Sequence, residues 1–160
     1  MIRRATPDDR TPVVALVFET LRSFGIEPDP DGLDADAMAF GMPENPALGE
    51  YVAEIDARVV GSVALRDRGD GTGHVSKFFV AADARGRGVG RVLLRTAVED
   101  ARRRSLRVLD LETRTCFEAA IHLYESTGWK RGADPDDGCD RTYELTLIDC
   151  TTRSMAPRGD

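Results

Sequence analysis

The stretch VAADARGRGVGR, residues 80–91, decides the fold. It connects an apolar segment typical of a strand, His74–Val80, to a helix predicted over Val89–Arg104 with its apolar residues in one stripe. Glycine leaves the backbone open to a ligand and permits positive φ, and this loop has three glycines. A helix N-terminus adds unpaired N–H groups and a partial positive charge, which bind phosphate oxygens. Together with three arginines, these features predict a phosphate or pyrophosphate site at Arg85–Arg91.

Two common phosphate loops do not fit these residues. The Lys-Ser/Thr ending of a Walker loop is absent. The glycines do not match GxGxxG, and no strand–helix unit of the Rossmann type begins the chain. A glycine loop that serves only as a turn is the structural alternative.

The remaining hydrophobic patterns predict a sheet flanked by helices. Strands are predicted at Ile2–Ala5, Glu50–Ile55, Val59–Arg66, His74–Val80, Leu106–Glu112 and Thr142–Ile148, and further helices at about Thr6–Phe24, Leu33–Phe40 and Phe117–Ser126. A three-strand meander is antiparallel, whereas the strand–helix–strand order in mid-chain requires a parallel crossover. The sequence therefore predicts an α+β (mixed α/β) fold with a central mixed, mostly antiparallel sheet. Residues 1–150 are expected to form one domain, followed by a polar tail at 151–160.

The composition limits the classes of function. The chain has 160 residues and a formal net charge of −6, so it lacks the overall basic field that favours nucleic acids or anionic membranes. No apolar run approaches the roughly 20 residues that span a bilayer, and Met1–Arg10 lacks the apolar core of a signal peptide. A cytoplasmic protein without nucleic-acid or membrane partners is therefore expected.

Charge is nevertheless uneven along the chain. Eight arginines lie within Arg85–Arg107, whereas acids concentrate in Glu27–Asp36 and Asp134–Asp140. Solvated faces explain most such runs, but the arginines also suit an anion site, and the acidic segments would favour a cationic substrate. We expect Glu27–Asp36 and the loop Gly41–Pro46 to line a substrate entrance.

Cysteine and histidine usage argues against other chemistry. The three cysteines, Cys116, Cys139 and Cys150, are odd in number and widely spaced, which disfavours a disulfide framework. No CxxC or Cys/His cluster occurs, so no metal site is expected. No partner that would activate a cysteine nucleophile can be identified.

Two motifs carry a family resemblance. The loop matches the pattern Arg/Gln-x-x-Gly-x-Gly/Ala through Arg85, Gly88 and Gly90. A later segment, AIHLYESTGW at residues 120–129, matches Ala-x-x-Leu-Tyr-Glu-x-x-Gly-Phe with tryptophan in the last place. With both motifs at the usual separation, residues 74–147 resemble the Gcn5-related N-acetyltransferase (GNAT) family. The N-terminal part agrees with the family only in the order of its elements.

The resemblance implies acetyl-coenzyme A as the cofactor. In the family, the strand matching Phe78–Val80 splays from its neighbour and pairs with the pantetheine arm, while the glycine loop wraps the pyrophosphate. An N–H near Phe79 would polarise the acetyl carbonyl. Cofactor binding is thereby assigned to Phe78, Phe79, Val80, Arg85, Gly86, Arg87, Gly88, Val89, Gly90 and Arg91. One departure is Phe117, where many relatives have an asparagine that contacts the cofactor arm.

The resemblance also implies a general acid but leaves the base open. The tyrosine matching Tyr124 would protonate the departing thiolate, although its place in an apolar stripe alone favours a core aromatic. Many relatives carry a glutamate near the start of the strand matching His74–Val80. Here that strand has no acid, His74 stands in the region, and Glu112 on the neighbouring strand is the second candidate. His122 and Cys116 are expected to have no catalytic role.

The function implied is transfer of an acetyl group from acetyl-coenzyme A to a primary amine, of a small molecule or a peptide, by direct nucleophilic attack. A homodimer is implied as well, since dimers are frequent in the family. The missing strand acid leaves a second hypothesis, a catalytically weak acyl-coenzyme A-binding or sensing module on the same fold. Nucleic-acid binding through the arginine-bearing helix is a third.

Overall fold

The computed structural model describes residues 1–133 and 141–147. Its strands are β1 (Ile2–Arg4), β2 (Gly49–Ile55), β3 (Arg58–Gly69), β4 (Thr72–Val80), β5 (Val108–Thr113), β6 (Lys130–Arg131) and β7 (Arg141–Thr146), and its α-helices are α1 (Arg10–Ser23), α2 (Val89–Arg103) and α3 (Glu118–Ser126). Short 3₁₀ helices occur at Pro7–Asp9, Ala37–Ala39 and Ala82–Ala84. The strands form one sheet in the order β1-β2-β3-β4-β5-β7-β6. Among these described pairs, only β4–β5 is parallel, which confirms the predicted fold class.

The sheet carries an apolar core on each face. Successive residues of a strand point to opposite faces, so Val52 and Ala64 pack in one core while Val63 and Leu65 pack in the other. The first core includes the apolar stripe of α1, and the second includes that of α2. We call these the α1 face and the α2 face. The buried residues of the two stripes are Val13, Val17 and Leu21 in α1, and Leu93, Leu94, Ala97, Val98 and Ala101 in α2.

Tight turns join the strands of the meander. The β2–β3 turn consists of Asp56 and Ala57, with φ of 51° and 61°, and the β3–β4 turn contains Asp70 and Gly71, with φ of 54° and 76°. Two successive residues with positive φ are the signature of a type I′ turn, whose twist matches that of antiparallel strands. The predicted hairpin at Asp56–Arg58 is thus present.

β4 leaves its parallel neighbour part-way along its length. The pairing with β5 ends at His74 and Asp110, whereas β4 continues to Val80. Beyond His74 the register of β4 with β3 shifts, and Lys77 has a φ of 50°, which marks a bulge. The hydroxyl of Ser62 donates to Lys77 O at 2.7 Å and holds this bulge. A gap therefore opens between β4 and β5 beyond His74.

Two element predictions are wrong. The helix expected at Leu33–Phe40 consists of turns and the 3₁₀ helix at Ala37–Ala39. The backbone N–H groups here donate to carbonyls three residues back, from Ala37 N to Asp34 O at 3.0 Å and from Met38 N to Ala35 O at 3.1 Å, which is the 3₁₀ pattern and not the i→i+4 pattern of an α-helix. The strand β6 is absent from the prediction, because two residues carry no periodic pattern. Cys139, Cys150, the acidic segment Asp134–Asp140 and the tail at 151–160 lie outside the described residues.

Candidate active site

A cavity of about 550 Å³ lies at the gap between β4 and β5. Its wall is formed by the glycine loop and the first turn of α2, by β4 and the end of β5, and by parts of α1 and α3. Every residue predicted for the site lines this cavity except Arg87. The ring of Phe78 contacts Tyr124 on the α2 face, whereas that of Phe79 contacts Phe117 and packs against the cores of both faces. The cavity therefore passes through the sheet at the gap.

The glycine loop has the conformation that its sequence predicts. Gly86 and Gly88 have φ of 78° and 80°, and a Cβ added at either would meet nothing within 4 Å. Glycine is therefore required here for the backbone conformation and not for space. The first bond of α2 runs from Val92 N to Gly88 O at 3.1 Å, which leaves the N–H groups of the preceding residues, 89–91, without an intrahelical acceptor.

Gly90 has a different role from the other two glycines. A Cβ at Gly90 would lie 3.3 Å from Phe78 Cζ and 3.5 Å from Val80 Cγ2. The missing side chain lets the first turn of α2 approach β4 closely. This approach brings the helix N-terminus next to the unpaired part of the strand.

The three loop arginines are in unlike positions. Arg85 donates from Nε to Val80 O at 3.1 Å, and its guanidinium lies 6.0 Å from the ring centroid of Phe24. Its side chain thus binds the end of β4 and packs on the end of α1. Arg87 and Arg91 are exposed.

Tyr124 is both a core residue and a residue of the cavity wall. Its ring centroid lies 5.9 Å from those of Phe78 and Trp129 and 5.6 Å from that of Tyr143. Burial, and secondarily the neighbouring Tyr143, raise the pKa of the Tyr124 hydroxyl above its usual range. The position of Tyr124 is therefore compatible with both interpretations drawn from the sequence, a core aromatic and a general acid.

His74 belongs to a charged cluster across three strands. Its Nδ1 lies 2.5 Å from Asp110 Oδ1 and 2.8 Å from Arg68 Nη2, and Arg68 Nε lies 3.0 Å from the same Asp110 oxygen. Glu112 is 4.0 Å from Arg68 Nη2. Sequence reasoning missed Asp110 and Arg68. The alternation of Asp110 and Glu112 along β5 was the available signal, since it gives both carboxylates the same face.

The acids near the entrance are already paired. Lys77 Nζ, on the bulge of β4, lies 3.5 Å from Asp34 Oδ1 and 3.0 Å from Asp36 Oδ1, and Arg66 Nη2 lies 3.8 Å from Asp36 Oδ2. Asp34 and Asp36 line the cavity, as expected for part of the acidic segment. The loop Gly41–Pro46 does not: Gly41 and Asn45 instead donate to the carboxylate of Glu50 on β2. The loop is thus bonded to β2 and does not line this cavity.

The expectation that His122 and Cys116 have no catalytic role stays a prediction. His122 is an exposed residue of α3 at the cavity wall, and Cys116 is an exposed free cysteine. Phe117 packs edge-on against Phe24, with ring centroids 5.0 Å apart. An aromatic ring therefore occupies the position where the family resemblance implies an asparagine.

Known proteins share both the sequence pattern and the fold. A model of the acetyltransferase (GNAT) family matches residues 14–129. The probable N-acetyltransferase camello of Xenopus tropicalis is 35% identical over 103 residues, which cover 63% of this chain and 46% of that protein. Its counterpart from Xenopus laevis is 37% identical over 83 residues, 51% of this chain and 38% of that protein. The chain thus spans less than half the length of these curated relatives.

Solved structures show the same architecture. A GNAT-family acetyltransferase from Staphylococcus aureus Mu50 superposes with a TM-score of 0.84 at 18% identity, covering 92% of this chain and 99% of the other. The PaiA N-acetyltransferase of Thermoplasma acidophilum, solved in complex with coenzyme A, gives a TM-score of 0.73 at 16% identity over 91% and 98% of the two chains. At such low sequence identities, the superpositions show a shared fold only.

Since the family model matches more than half of its length, the chain belongs to the acetyltransferase (GNAT) family. Within residues 1–133 and 141–147, no helix combines the length and apolar character that crossing a membrane requires. The same ranges contain no group of three His, Cys, Asp or Glu side chains placed to hold a metal ion.

Proposed function

We propose that the chain is an N-acetyltransferase that moves an acetyl group from acetyl-coenzyme A to a primary amine by direct nucleophilic attack. The observation that carries this proposal is one cavity that joins an anion-binding loop, an unpaired strand edge and two candidates for proton transfer, Tyr124 and His74. Membership of the acetyltransferase family supports both the activity and the acetyl donor.

The cavity wall fits the chemistry of coenzyme A. The N–H groups of residues 89–91, with Arg87 and Arg91 beside them, suit pyrophosphate oxygens. The edge of β4 beyond His74 offers backbone groups to the amides of an extended arm. Ser76 Oγ is buried at this wall and has no hydrogen-bond partner among the described residues, as expected where a ligand supplies one. Acetyl-coenzyme A supplies the acetyl group as a thioester.

Tyr124 is the proposed general acid. Its raised pKa keeps the hydroxyl protonated at neutral and moderately alkaline pH, so a proton is available for the departing sulfur. The aromatic contacts hold the ring, and the hydroxyl donates the proton.

His74 is the proposed base, with Asp110 as its positioning residue. The contact of 2.5 Å between Nδ1 and Asp110 Oδ1 fits the tautomer that has its proton on Nδ1 and leaves Nε2 to accept one, and Arg68 Nη2, 2.8 Å from Nδ1, competes with Asp110 for this nitrogen. Arg68 compensates the charge of Asp110. Nε2 would take the proton from the amine directly or through a water. Glu112 remains the second candidate, since it lines the same cavity beside Arg68.

The test is an amine panel assayed with acetyl-coenzyme A and thiol detection of released coenzyme A. We expect turnover with at least one primary amine. His74→Gln should abolish most of this turnover, whereas Glu112→Gln should retain it, and the opposite ranking would make Glu112 the base. Tight binding of acetyl-coenzyme A without turnover on any amine would favour the hypothesis of a weak acyl-coenzyme A-binding module.

A further inference from the structure

We infer that the acceptor is a primary amine attached to an apolar body, and not a polyamine or a small polar amine. The inference rests on the proposed function and concerns the part of the cavity on the α1 face. Gly90, at the end of the glycine loop, and Tyr124 lie beside Phe78 on the α2 face. The amine therefore approaches the gap from the α1 face.

The wall on the α1 face is apolar and largely aromatic. Phe117 lies at its centre, with ring centroids 5.0 Å from Phe24 and 6.4 Å from Phe79. The wall, which we call the apolar wall, consists of Leu21, Phe24, Ile26, Leu33, Phe79 and Phe117.

Part of this wall is open to solvent. Phe24 is 38% exposed and Leu33 is 50% exposed, and with Met1 they are the large apolar residues that are exposed in the described part of the chain. Both exposed residues outside the N-terminus thus line one cavity. Exposed apolar surface concentrated in a cavity is typical of a site that buries the apolar part of a ligand.

The charges beside the wall disfavour a polycation. Asp34 and Asp36 follow Leu33 but are paired with Lys77 and Arg66, so their charge is compensated within the protein. Arg85 lies over the ring of Phe24 and presents a positive charge to the same wall. Glu118, at the start of α3, is an acid of the cavity that suits one ammonium group. The several charges of a polyamine would instead meet the positive charge of Arg85.

Three amines distinguish the classes. We expect kcat/KM for 2-phenylethylamine to exceed that for ethanolamine and for spermidine by about tenfold or more, since the ring is buried against the apolar wall. An equal or higher kcat/KM for spermidine or ethanolamine would overturn the inference while leaving the proposed acetyl transfer intact. Inactivity on every amine of the panel would contradict the proposed function. If the panel contains a substrate but none of these three amines is acetylated, calorimetric binding of the three to the coenzyme A complex decides the preference.

Leu33 provides the matched variants, because its exposed side chain tolerates a polar replacement. Leu33→Glu adds an uncompensated carboxylate and should lower kcat/KM for 2-phenylethylamine and raise that for spermidine, each by about fivefold. Leu33→Gln introduces a neutral side chain of similar size, so it should lower kcat/KM for 2-phenylethylamine without raising kcat/KM for spermidine. KM for acetyl-coenzyme A should stay unchanged in both.

A control in α1 separates a local effect from a general loss of packing. Phe18 lies outside the cavity and contacts the core on the α1 face, so Phe18→Ala should reduce stability and leave the ranking of the three amines unchanged. A spermidine preference unaltered by Leu33→Glu would show that the acceptor does not contact the apolar wall.

Discussion

Tyr124 and Tyr143 are both buried tyrosines, but their hydroxyl groups have different environments, and this difference provides a test of the general acid. The hydroxyl of Tyr143 donates to Glu125 Oε1 at 2.7 Å, outside the cavity, whereas Tyr124 lines the cavity. Tyr124→Phe should lower kcat by about 10²-fold or more with acetyl-coenzyme A affinity unchanged, because only the proton donor is lost. Stopped-time assays and calorimetry measure the two quantities.

The matched control is Tyr143→Phe, which should lower the free energy of unfolding by about 1 kcal/mol and leave kcat unchanged. The raised pKa of Tyr124 also predicts that kcat does not fall on the alkaline side before about pH 10, the ordinary value for tyrosine. An unchanged kcat in Tyr124→Phe would remove the residue from the mechanism.

Asp110 should act through His74 and not by contact with the amine. In Asp110→Asn the amide can donate to Nδ1, which would move the imidazole proton to Nε2 and remove the base, so kcat should fall by about 10²-fold. A purely structural role would instead lower stability without changing the pH profile of kcat. Asp67→Asn, in the exposed part of β3, is the control and should have neither effect. Retention of the wild-type pH profile in Asp110→Asn would contradict the dyad.

At the scale of elements, the glycine loop is a conformational requirement. Gly88 is the N-cap of α2 with a φ of 80° and open space around it, so Gly88→Ala introduces strain of about 1–2 kcal/mol without a steric clash. We expect the dissociation constant of acetyl-coenzyme A to rise about tenfold, since the binding conformation of the loop becomes less populated. Isothermal titration measures this.

Gly69 offers a matched control in the β3–β4 hairpin, because its φ is 85° and its surroundings are equally open. Gly69→Ala should lose a similar amount of stability and leave the affinity unchanged. Equal affinities in the two variants would mean that the loop conformation does not matter for the cofactor.

The β2–β3 turn carries strain that a single change should relieve. Ala57 is exposed and has a φ of 61°, which is unfavourable for a residue with a Cβ. Ala57→Gly should therefore raise the free energy of unfolding by about 0.5–1 kcal/mol, as measured by urea denaturation. Ala15→Gly, in an exposed position of α1, should have the opposite sign, about 1 kcal/mol of destabilisation. A loss of stability in Ala57→Gly would contradict the turn assignment.

At the scale of the whole molecule, the carboxylate of Asp9, just before α1, is linked through Arg3 to β1 and β2. Arg3 on β1 donates to both oxygens of Asp9, at 2.7 and 2.9 Å, and to Glu54 on β2, and Asp9 accepts from Thr6 N at 2.8 Å. The bonds from Arg3, more than those from Thr6, lower the pKa of Asp9 below its usual range. A lowered native pKa stabilises the fold above the unfolded value of about 3.9, and this stabilisation is lost as pH falls through the native pKa.

Asp9→Asn should therefore cost about 2 kcal/mol at pH 7, and the difference from the wild type should shrink as the pH falls below about 4. Denaturation curves at several pH values measure this. Asp83→Asn is the control, because Asp83 and Arg58 form an exposed ion pair whose loss should have no measurable effect. A pH-independent difference between Asp9→Asn and the wild type would show that the carboxylate charge is not involved.

Helices and strands with a long periodic apolar pattern could be predicted from the sequence. Short elements, and segments where local hydrogen bonds decide the backbone conformation, could not. α2 has its predicted start at Val89 and ends one residue early, because a strong apolar stripe defines it. The segment Leu33–Phe40 has apolar residues at suitable spacing, but its backbone bonds join residues three apart, as from Ala37 N to Asp34 O, so it forms 3₁₀ turns. Residues 1–150 as one domain, a cytoplasmic location and a homodimer stay predictions.

The sequence by itself determined the glycine loop, the crossover around it and the family, because positive φ, a helix N-terminus and periodic burial depend on residues close together in the chain. The tertiary structure decided what surrounds the loop. Asp110 lies behind His74 from 36 positions away, and Asp34 neutralises Lys77 from 43 positions away. Phe24 and Phe117 meet only because α1 and α3 approach the same gap in the sheet. Such contacts depend on strand register and on the departure of β4 from β5, which no local pattern specifies.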